Sequence, residues 1–228
     1  MKTLKFVSLV VLSVAMGAGA SFAQDAEPDM SHAKKVEQYG RDFLKTWGGN
    51  DKLEAAIKAS TAKNKSLGYD EVQIQDKEWQ LARTKGKTDE KSTAAATKLT
   101  EELAGLDQKK PEEHMANGEK TMAEIRGNAT SKWLQAQLEK APNGAVTEIF
   151  VMDGWGWNVG QTGGTSDFYQ GDEGKWQKTF AGASENGVEV LPIVEEDGMK
   201  ISQVSLPIKD GDKNIGAVTI GVNVDKLK

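Results

Sequence analysis

Residues 204–224 of the chain read VSLPIKDGDKNIGAVTIGVNV. Apolar residues occupy every second position from 204 to 208, and the same period of two returns from 218 to 224. Such alternation is typical of β-strands that bury one face. The residues between the two runs, 209–214, are Lys, Asp, Gly and Asn, which favour a tight turn. The stretch therefore predicts an antiparallel hairpin.

Three further short runs lie upstream of this hairpin and extend the predicted sheet. Glu148–Met152 is bounded by turn residues, the run from 159 to 162 ends at Gly163–Gly164, and a third run spans 188–194. Five short strands joined by tight links predict an antiparallel sheet. We place the sheet part of the chain at about 146–226.

The chain ahead of the sheet, about 31–140, reads as helical because apolar residues recur every three or four positions. The fold class is therefore α+β, with the helices on one side of the sheet. The expected helices are one after Ser31 that ends at Gly48–Gly49, one capped by Asp51, one from Asp70, one carrying Leu99 and Leu103 that is broken by Pro111, and a long one from about 118 to 140.

The first residues have the pattern of a secretion signal. Lys2 and Lys5 precede an apolar run from 6 to 20, and small residues lead up to Ala23. The run is too short for a comfortable membrane span, so we predict a signal peptide, 1–23, with an uncleaved anchor as the alternative. The remainder, 24–228, is expected to form a single domain in the periplasm.

The composition excludes several classes of function. The formal net charge of −5 argues against nucleic acid as a partner, and the absence of Cys excludes disulfides and a lipid-anchored lipoprotein. His32 and His114 are the two histidines, and neither has metal-ligand spacing or a Gly-x-Ser-x-Gly neighbour. The acidic start of the 209–214 turn resembles a calcium loop, but Ile215 and Gly221 break that pattern. We therefore predict no catalytic residue, no metal and no cofactor, and we expect no enzyme, although a paired-carboxylate site stays open.

The stretch from Asp153 to Phe180 concentrates aromatic and polar side chains, the mixture that lines small-molecule sites. The alternative is structural: Thr165–Asp167 and Asp172 could cap helical turns, and the Trp rings could fill the core. The predicted ligand-binding residues are Asp153, Trp155, Trp157, Asp167, Tyr169, Gln170, Asp172 and Trp176.

Three segments of this region, 148–153, 158–162 and 165–176, resemble the Cache family of PDC, PAS-like extracytoplasmic sensor domains, and the hairpin at 204–224 does so too. The likeness covers about 141–226. It implies a PAS-like five-stranded antiparallel sheet preceded by a long N-terminal helix and further helices. It also implies that a small molecule binds between the concave face of the sheet and the connection after the second strand, here 162–180.

The resemblance implies amino acids, amines, short carboxylates or purines as ligands. No Arg occurs in the 162–180 connection, whereas acidic and aromatic side chains that suit a cation do, so an amine or amino acid is slightly favoured. We expect a soluble periplasmic sensor-type domain without its own output module, which acts through a membrane receptor or kinase and is able to form a weak homodimer. The alternative is an interaction module that docks a membrane kinase or chemoreceptor and binds no small ligand.

Overall fold

The computed structural model describes residues 28–48, 50–182 and 187–227. The predicted signal peptide, 1–23, lies outside these residues. In the part of the chain that is described, no helix combines the length and the apolar character needed to cross a membrane.

Among the described residues, six α-helices precede the sheet, and a short seventh lies within the connection after the second strand. The helices are α1 Ala33–Lys45, α2 Asp51–Asn64, α3 Tyr69–Ala82, α4 Glu90–Ala104, α5 Pro111–Gly127, α6 Ala129–Glu139 and α7 Gly174–Gln177. The strands are β1 Val146–Met152, β2 Asn158–Gln161, β3 Glu189–Val190, β4 Val194–Glu196, β5 Met199–Asp210 and β6 Lys213–Asn223.

The predicted α+β fold with an antiparallel sheet is confirmed. The main strand order is β2-β1-β6-β5-β3, and β4 pairs with β5 outside this path. The run predicted as one strand over 188–194 is divided into β3 and β4, so the described part of the chain has six strands where five were expected. The β5–β6 hairpin turns at Gly211 and Asp212, where the glycine has φ +58°, so both strands run deeper into the predicted 209–214 loop than expected.

One long helix over 118–140 was the wrong expectation, because the structure has two helices there. Asn128 is extended and its side chain accepts a hydrogen bond from the Ser131 N–H, which starts α6 as a new helix. Pro111 does not simply break the preceding helix; it opens α5 at a position where its missing N–H costs nothing.

The predicted caps of the first two helices are each displaced by one residue. Asn50 caps α2 by accepting from the Leu53 N–H, in place of Asp51. The N-cap position of α1 is His32 and not Ser31, and the His32 side chain makes no capping hydrogen bond. Neighbouring Asx and Ser residues compete for the same cap, and sequence alone does not separate them.

The main core lies between one face of the sheet and the helices α1, α2 and α6. The sheet contributes side chains such as Ile149, Val151, Leu206, Val218 and Ile220, and the helices contribute Val36, Phe43, Ile57 and Leu134.

The helices α3, α4 and α5 pack on one another beside this core, and α5 also reaches β2. The helix α5 lies against α3 so closely that a Cβ on Gly118 would be 1.9 Å from the carbonyl oxygen of Glu78. The helical part before Pro111 is thus divided: α1 and α2 pack on the sheet, while α3 and α4 form an outer layer.

Candidate functional site

The face of the sheet opposite the main core carries a row of buried side chains in register across five strands. Phe150 of β1 lies opposite Gln161 on one side and Thr219 on the other. Thr219 lies opposite Ser205, and Ser205 lies opposite Glu189. All five are buried, and the hydroxyl oxygens of Ser205 and Thr219 are 2.8 Å apart. Paired residues on neighbouring strands share one face, so these form a continuous, mostly polar row.

The helix α7 covers this row. Trp176 packs with Phe150 in a small apolar cluster at the β1 end of the row. The Lys175 ammonium lies 5.5 Å from the centre of the Phe150 ring, and the Lys178 ammonium donates to Glu189 Oε1 at 2.7 Å. Lys175 of α7 therefore lies near the β1 end of the row, and Lys178, the residue after α7, lies near the β3 end.

The helix α7 lies close against the sheet at Gly174. A Cβ on Gly174 would lie 2.4 Å from Glu189 Oε1, so the helix is able to sit this low because it begins with glycine. Two polar atoms of the row are nevertheless buried without a hydrogen-bond partner among the described residues, Gln161 Nε2 and Glu189 Oε2. A ligand that reached Glu189 Oε2 would have to displace α7, whereas Gln161 bonds Thr165 Oγ1 and lies beside residues of α5 and α6.

The helix α3 is hydrogen-bonded to the middle of the connection after β2, residues 162–180. Asp76 Oδ1 accepts from the backbone N–H groups of Phe168 and Tyr169 at 2.8 and 2.9 Å. Burial raises the pKa of the Asp76 carboxyl to about 6, and the nearby charge of Asp167 acts in the same direction, while the two backbone donors oppose it. The connection is thus fixed to the helical layer by a carboxylate that ionises near neutral pH.

Two further side chains of α3 hold the start of the connection. Trp79 Nε1 donates to the Thr165 carbonyl at 3.2 Å, and Arg83 donates to the carbonyls of Gly164 and Thr165. These bonds attach the backbone of the connection to α3.

Asp153, the first predicted ligand residue, is fully buried and serves as a structural junction. Its carboxylate accepts from Ser60 Oγ and Asn64 Nδ2 of α2, at 2.7 and 2.9 Å. It also accepts from the backbone N–H groups of Trp155 and Trp157, at 2.8 and 3.0 Å. Four hydrogen bonds saturate the carboxylate, so it ties the turn after β1 to α2.

Three other predicted residues also point into the protein. Trp157 is buried, with its ring 4.9 Å from Phe168 and 5.1 Å from Tyr169. Gln170 is fully buried and bonds the Lys175 ammonium at 3.3 Å. Trp176 donates its ring N–H to the backbone carbonyl at position 153. Gln170 and Trp176 belong to the layer under and within α7, whereas Trp157 belongs to the core beside α3.

The remaining four predicted residues reach the surface. Trp155 is 43 % exposed. Trp155 and Tyr169 both lie close to Gly171: a Cβ on Gly171 would be 2.4 Å from the Tyr169 hydroxyl and 2.6 Å from the Trp155 carbonyl oxygen. Burial raises the pKa of Tyr169, and the charge of exposed Asp172 adds to it. Asp167 is half-buried on the side of α3. The eight predicted residues therefore do not converge on one cavity in the described structure, and their role in binding stays a prediction.

The sequence analysis missed Glu189, Ser205 and Thr219. A signal was present, because Ser205 and Thr219 are the polar residues within the otherwise apolar runs 204–208 and 215–222. Their meeting depends on the register of the hairpin, which the turn residues alone do not determine.

The two histidines lie elsewhere. His114 is buried between α3 and α5, with Nδ1 2.9 Å from Glu78 Oε1 and Nε2 in ionic contact with Asp107 Oδ1 at 3.1 Å. His32 is buried with Nε2 3.1 Å from the Leu191 carbonyl oxygen. Among the described residues, no group of three His, Asp or Glu side chains has an arrangement that could hold a metal ion.

Comparison with known proteins gives similarities to solved structures. No protein-family model and no curated protein matches the chain significantly. The sensor domain of the V. cholerae histidine kinase DctB is 8 % identical, with a TM-score of 0.27, and the match covers 85 % of this chain and 55 % of that one. The ligand-binding domain of the Campylobacter jejuni chemoreceptor Tlp3, solved with 4-methylisoleucine, is 10 % identical, with a TM-score of 0.31 and coverages of 87 % and 62 %. Both are sensor-type domains, the class that the sequence resembles, and this chain spans less than two thirds of either.

Proposed function

We propose that this chain is an extracytoplasmic sensor-type domain that binds a small molecule between α7 and the polar row of the sheet. The observation that supports it best is the row itself: the polar side chains of Thr219, Ser205 and Glu189 lie in register on three strands under one short helix, and Glu189 Oε2 lacks a partner among the described residues. Burying unsatisfied polar groups is costly, so such groups are expected where a ligand completes them.

The charges around the row suit a zwitterionic ligand such as an amino acid. A ligand carboxylate above Phe150 would replace Glu173 Oε2, which pairs with the Lys175 ammonium at 2.8 Å, and Glu189 Oε2 would accept from an ammonium group at the other end. The acidic residues that favoured an amine in the sequence, Asp167 and Asp172, lie away from the row. An amino acid therefore satisfies the geometry better than a simple amine.

Binding at the row requires α7 to move, and this supplies a means of signalling. A ligand that binds only the arrangement with α7 displaced shifts the population toward that arrangement. The bound state would then be passed to a partner, such as a membrane receptor or kinase, through the altered surface of the connection.

A thermal-shift screen tests this proposal, with amino acids, polyamines, quaternary amines, short carboxylates and nucleobases as probes. A ligand at about a hundred times its Kd should stabilise the protein by roughly 2.7 kcal/mol. Thr219→Val removes a hydroxyl of the row, and Thr97→Val on the exposed side of α4 is the matched control. We expect an amino-acid hit that Thr219→Val weakens and Thr97→Val leaves unchanged. A hit that neither variant affects, or silence from every probe, would contradict the site.

One observation favours a second function, the docking of a membrane receptor without a small ligand. Trp155 exposes 43 % of its surface, and Tyr69 exposes 77 %. Exposed aromatic residues are enriched where proteins bind one another. Silence in the ligand screen together with capture of a receptor that Trp155→Ala abolishes would support this alternative.

A further inference from the structure

A groove of ≈ 460 Å³ lies beside β2, and no residue of α7 lines it. It runs between α2, α5 and the beginning of α6, and the edge strand β2 forms its floor. None of the eight residues predicted from the sequence lines it. Its polar lining consists mainly of hydroxyl and amide side chains: Ser60, Asn64, Gln75, Thr121, Thr130 and Asn158.

The floor of the groove contains a buried acceptor without a partner. Asn158 is 1 % exposed, and its Nδ2 donates to Thr165 Oγ1 at 2.8 Å and to the Asp167 carbonyl at 3.1 Å. The carbonyl oxygen can only accept, so these bonds fix the orientation of the amide. Asn158 Oδ1 has no hydrogen-bond partner among the described residues. The groove therefore offers an acceptor to a donor group of a ligand.

Donors lie at the end of the same groove. Ala129 and Thr130 are the first two residues of α6 and line the groove, and the N–H groups of a first helical turn have no acceptor within the helix. The side chain of Asn128 already serves the third N–H, that of Ser131. The groove thus presents N–H donors at its α6 end and a carbonyl acceptor on its floor.

The charges of the groove do not select an ion. Lys63 of α2 and Glu124 of α5 are its two charged lining residues, both are exposed, and their charges are opposite. A hydroxyl group both donates and accepts, so hydroxyl groups complement amides, hydroxyls and free N–H groups alike. Uncharged, hydroxyl-rich molecules are the class that fits this lining.

We propose that the groove between α2, α5 and β2 binds a small uncharged carbohydrate, with Asn158 Oδ1 accepting from one of its hydroxyl groups. This site is separate from the row under α7 and does not rest on the function proposed there.

Ala59 allows the groove to be closed with little effect on folding. It lines the groove from the exposed surface of α2, and a Phe at this position would occupy the groove. Ala62 is equally exposed on the same helix and does not line the groove, so Ala62→Phe is the matched control. Circular dichroism of both variants verifies the fold.

Isothermal titration calorimetry measures binding of glucose, maltose and trehalose to the protein purified after expression of the full chain, with glutamate and spermidine as charged comparators. We expect one uncharged sugar to bind, Ala59→Phe to weaken its affinity by about tenfold or more, and Ala62→Phe to leave it unchanged. Thr219→Val should also leave it unchanged, which separates this site from the row under α7.

Three results would overturn the proposal. Failure of all three sugars to bind the unmodified protein would show that the groove holds only solvent. Undiminished binding to Ala59→Phe would place the sugar elsewhere, and binding of glutamate or spermidine in this groove would show that the ligand class is wrong.

Discussion

The Asp76 carboxylate should make the stability of this protein depend on pH between about 4 and 6. Its pKa in the folded protein is about 6, against an ordinary value of 3.8. The folded state therefore binds the proton more tightly than the unfolded state, and the free energy of unfolding falls as pH rises through this window. At 1.36 kcal/mol per pH unit, the difference corresponds to about 3 kcal/mol.

Asp76→Asn isolates this effect. The amide oxygen can still accept from the N–H groups of Phe168 and Tyr169, but no charge is buried. The variant should match the unmodified protein near pH 4 and exceed its stability near pH 7.5 by up to about 3 kcal/mol. Asp76→Ala is the contrasting change, because it leaves both N–H groups without this acceptor and should be less stable than Asp76→Asn by about 1–3 kcal/mol for each at any pH.

Urea unfolding followed by circular dichroism at several pH values between 4 and 7.5 measures these free energies. The difference between Asp76→Asn and the unmodified protein cancels groups that titrate independently of this site. A difference that stays constant across this range would refute the reasoning, and so would a variant that becomes relatively less stable as the pH rises.

Two further predictions concern the outer helical layer. Gly118→Ala should cost several kcal/mol of stability or prevent folding, since its Cβ would lie 1.9 Å from the Glu78 carbonyl oxygen. Gly127→Ala in the same helix is the control: its Cβ meets nothing within 4 Å, so the change should be neutral or slightly stabilising. Equal losses of stability in thermal unfolding would contradict the close packing of α5 on α3. His114→Ala should lower the free energy of unfolding by about 3–5 kcal/mol, because it leaves the Glu78 carboxylate buried with the single hydrogen bond from Asn117. A loss below about 1 kcal/mol in urea unfolding would contradict a stabilising contact between His114 and the buried Glu78 carboxyl group.

Local sequence patterns predicted most of the elements but not how two of them are divided. The period of two from 218 to 224 and the turn residues around Gly211 were sufficient for the β5–β6 hairpin. The division of the helix over 118–140 at Asn128 was missed because the apolar period continues on both sides of it. The extended backbone of Asn128 ends α5, and the Asn128 side chain caps α6, but the composition of the stretch is that of one continuous helix.

The candidate site was harder to predict because it depends on strand register. The β5–β6 pairing shifts between Ile208 and Lys209, and this irregularity places Ser205 opposite Thr219. A regular hairpin counted from the turn would be one residue out of step, which would exchange the two faces of a strand. The aromatic and acidic residues of 153–176 were recognised as a special segment, but several of them are saturated by backbone and side-chain partners that lie far away in the sequence.

The central position of β6 has a consequence for how the chain folds. The hairpin of β5 and β6 is local and can form early, but β1 must wait for a strand made much later, since Ile149 pairs with Ile220. Until then Ile149–Met152, which is apolar on both faces and pairs with β2 on one side alone, leaves its other edge open, the kind of segment that associates with other chains. The rate at which β6 docks should therefore set how long the nascent protein is prone to aggregate.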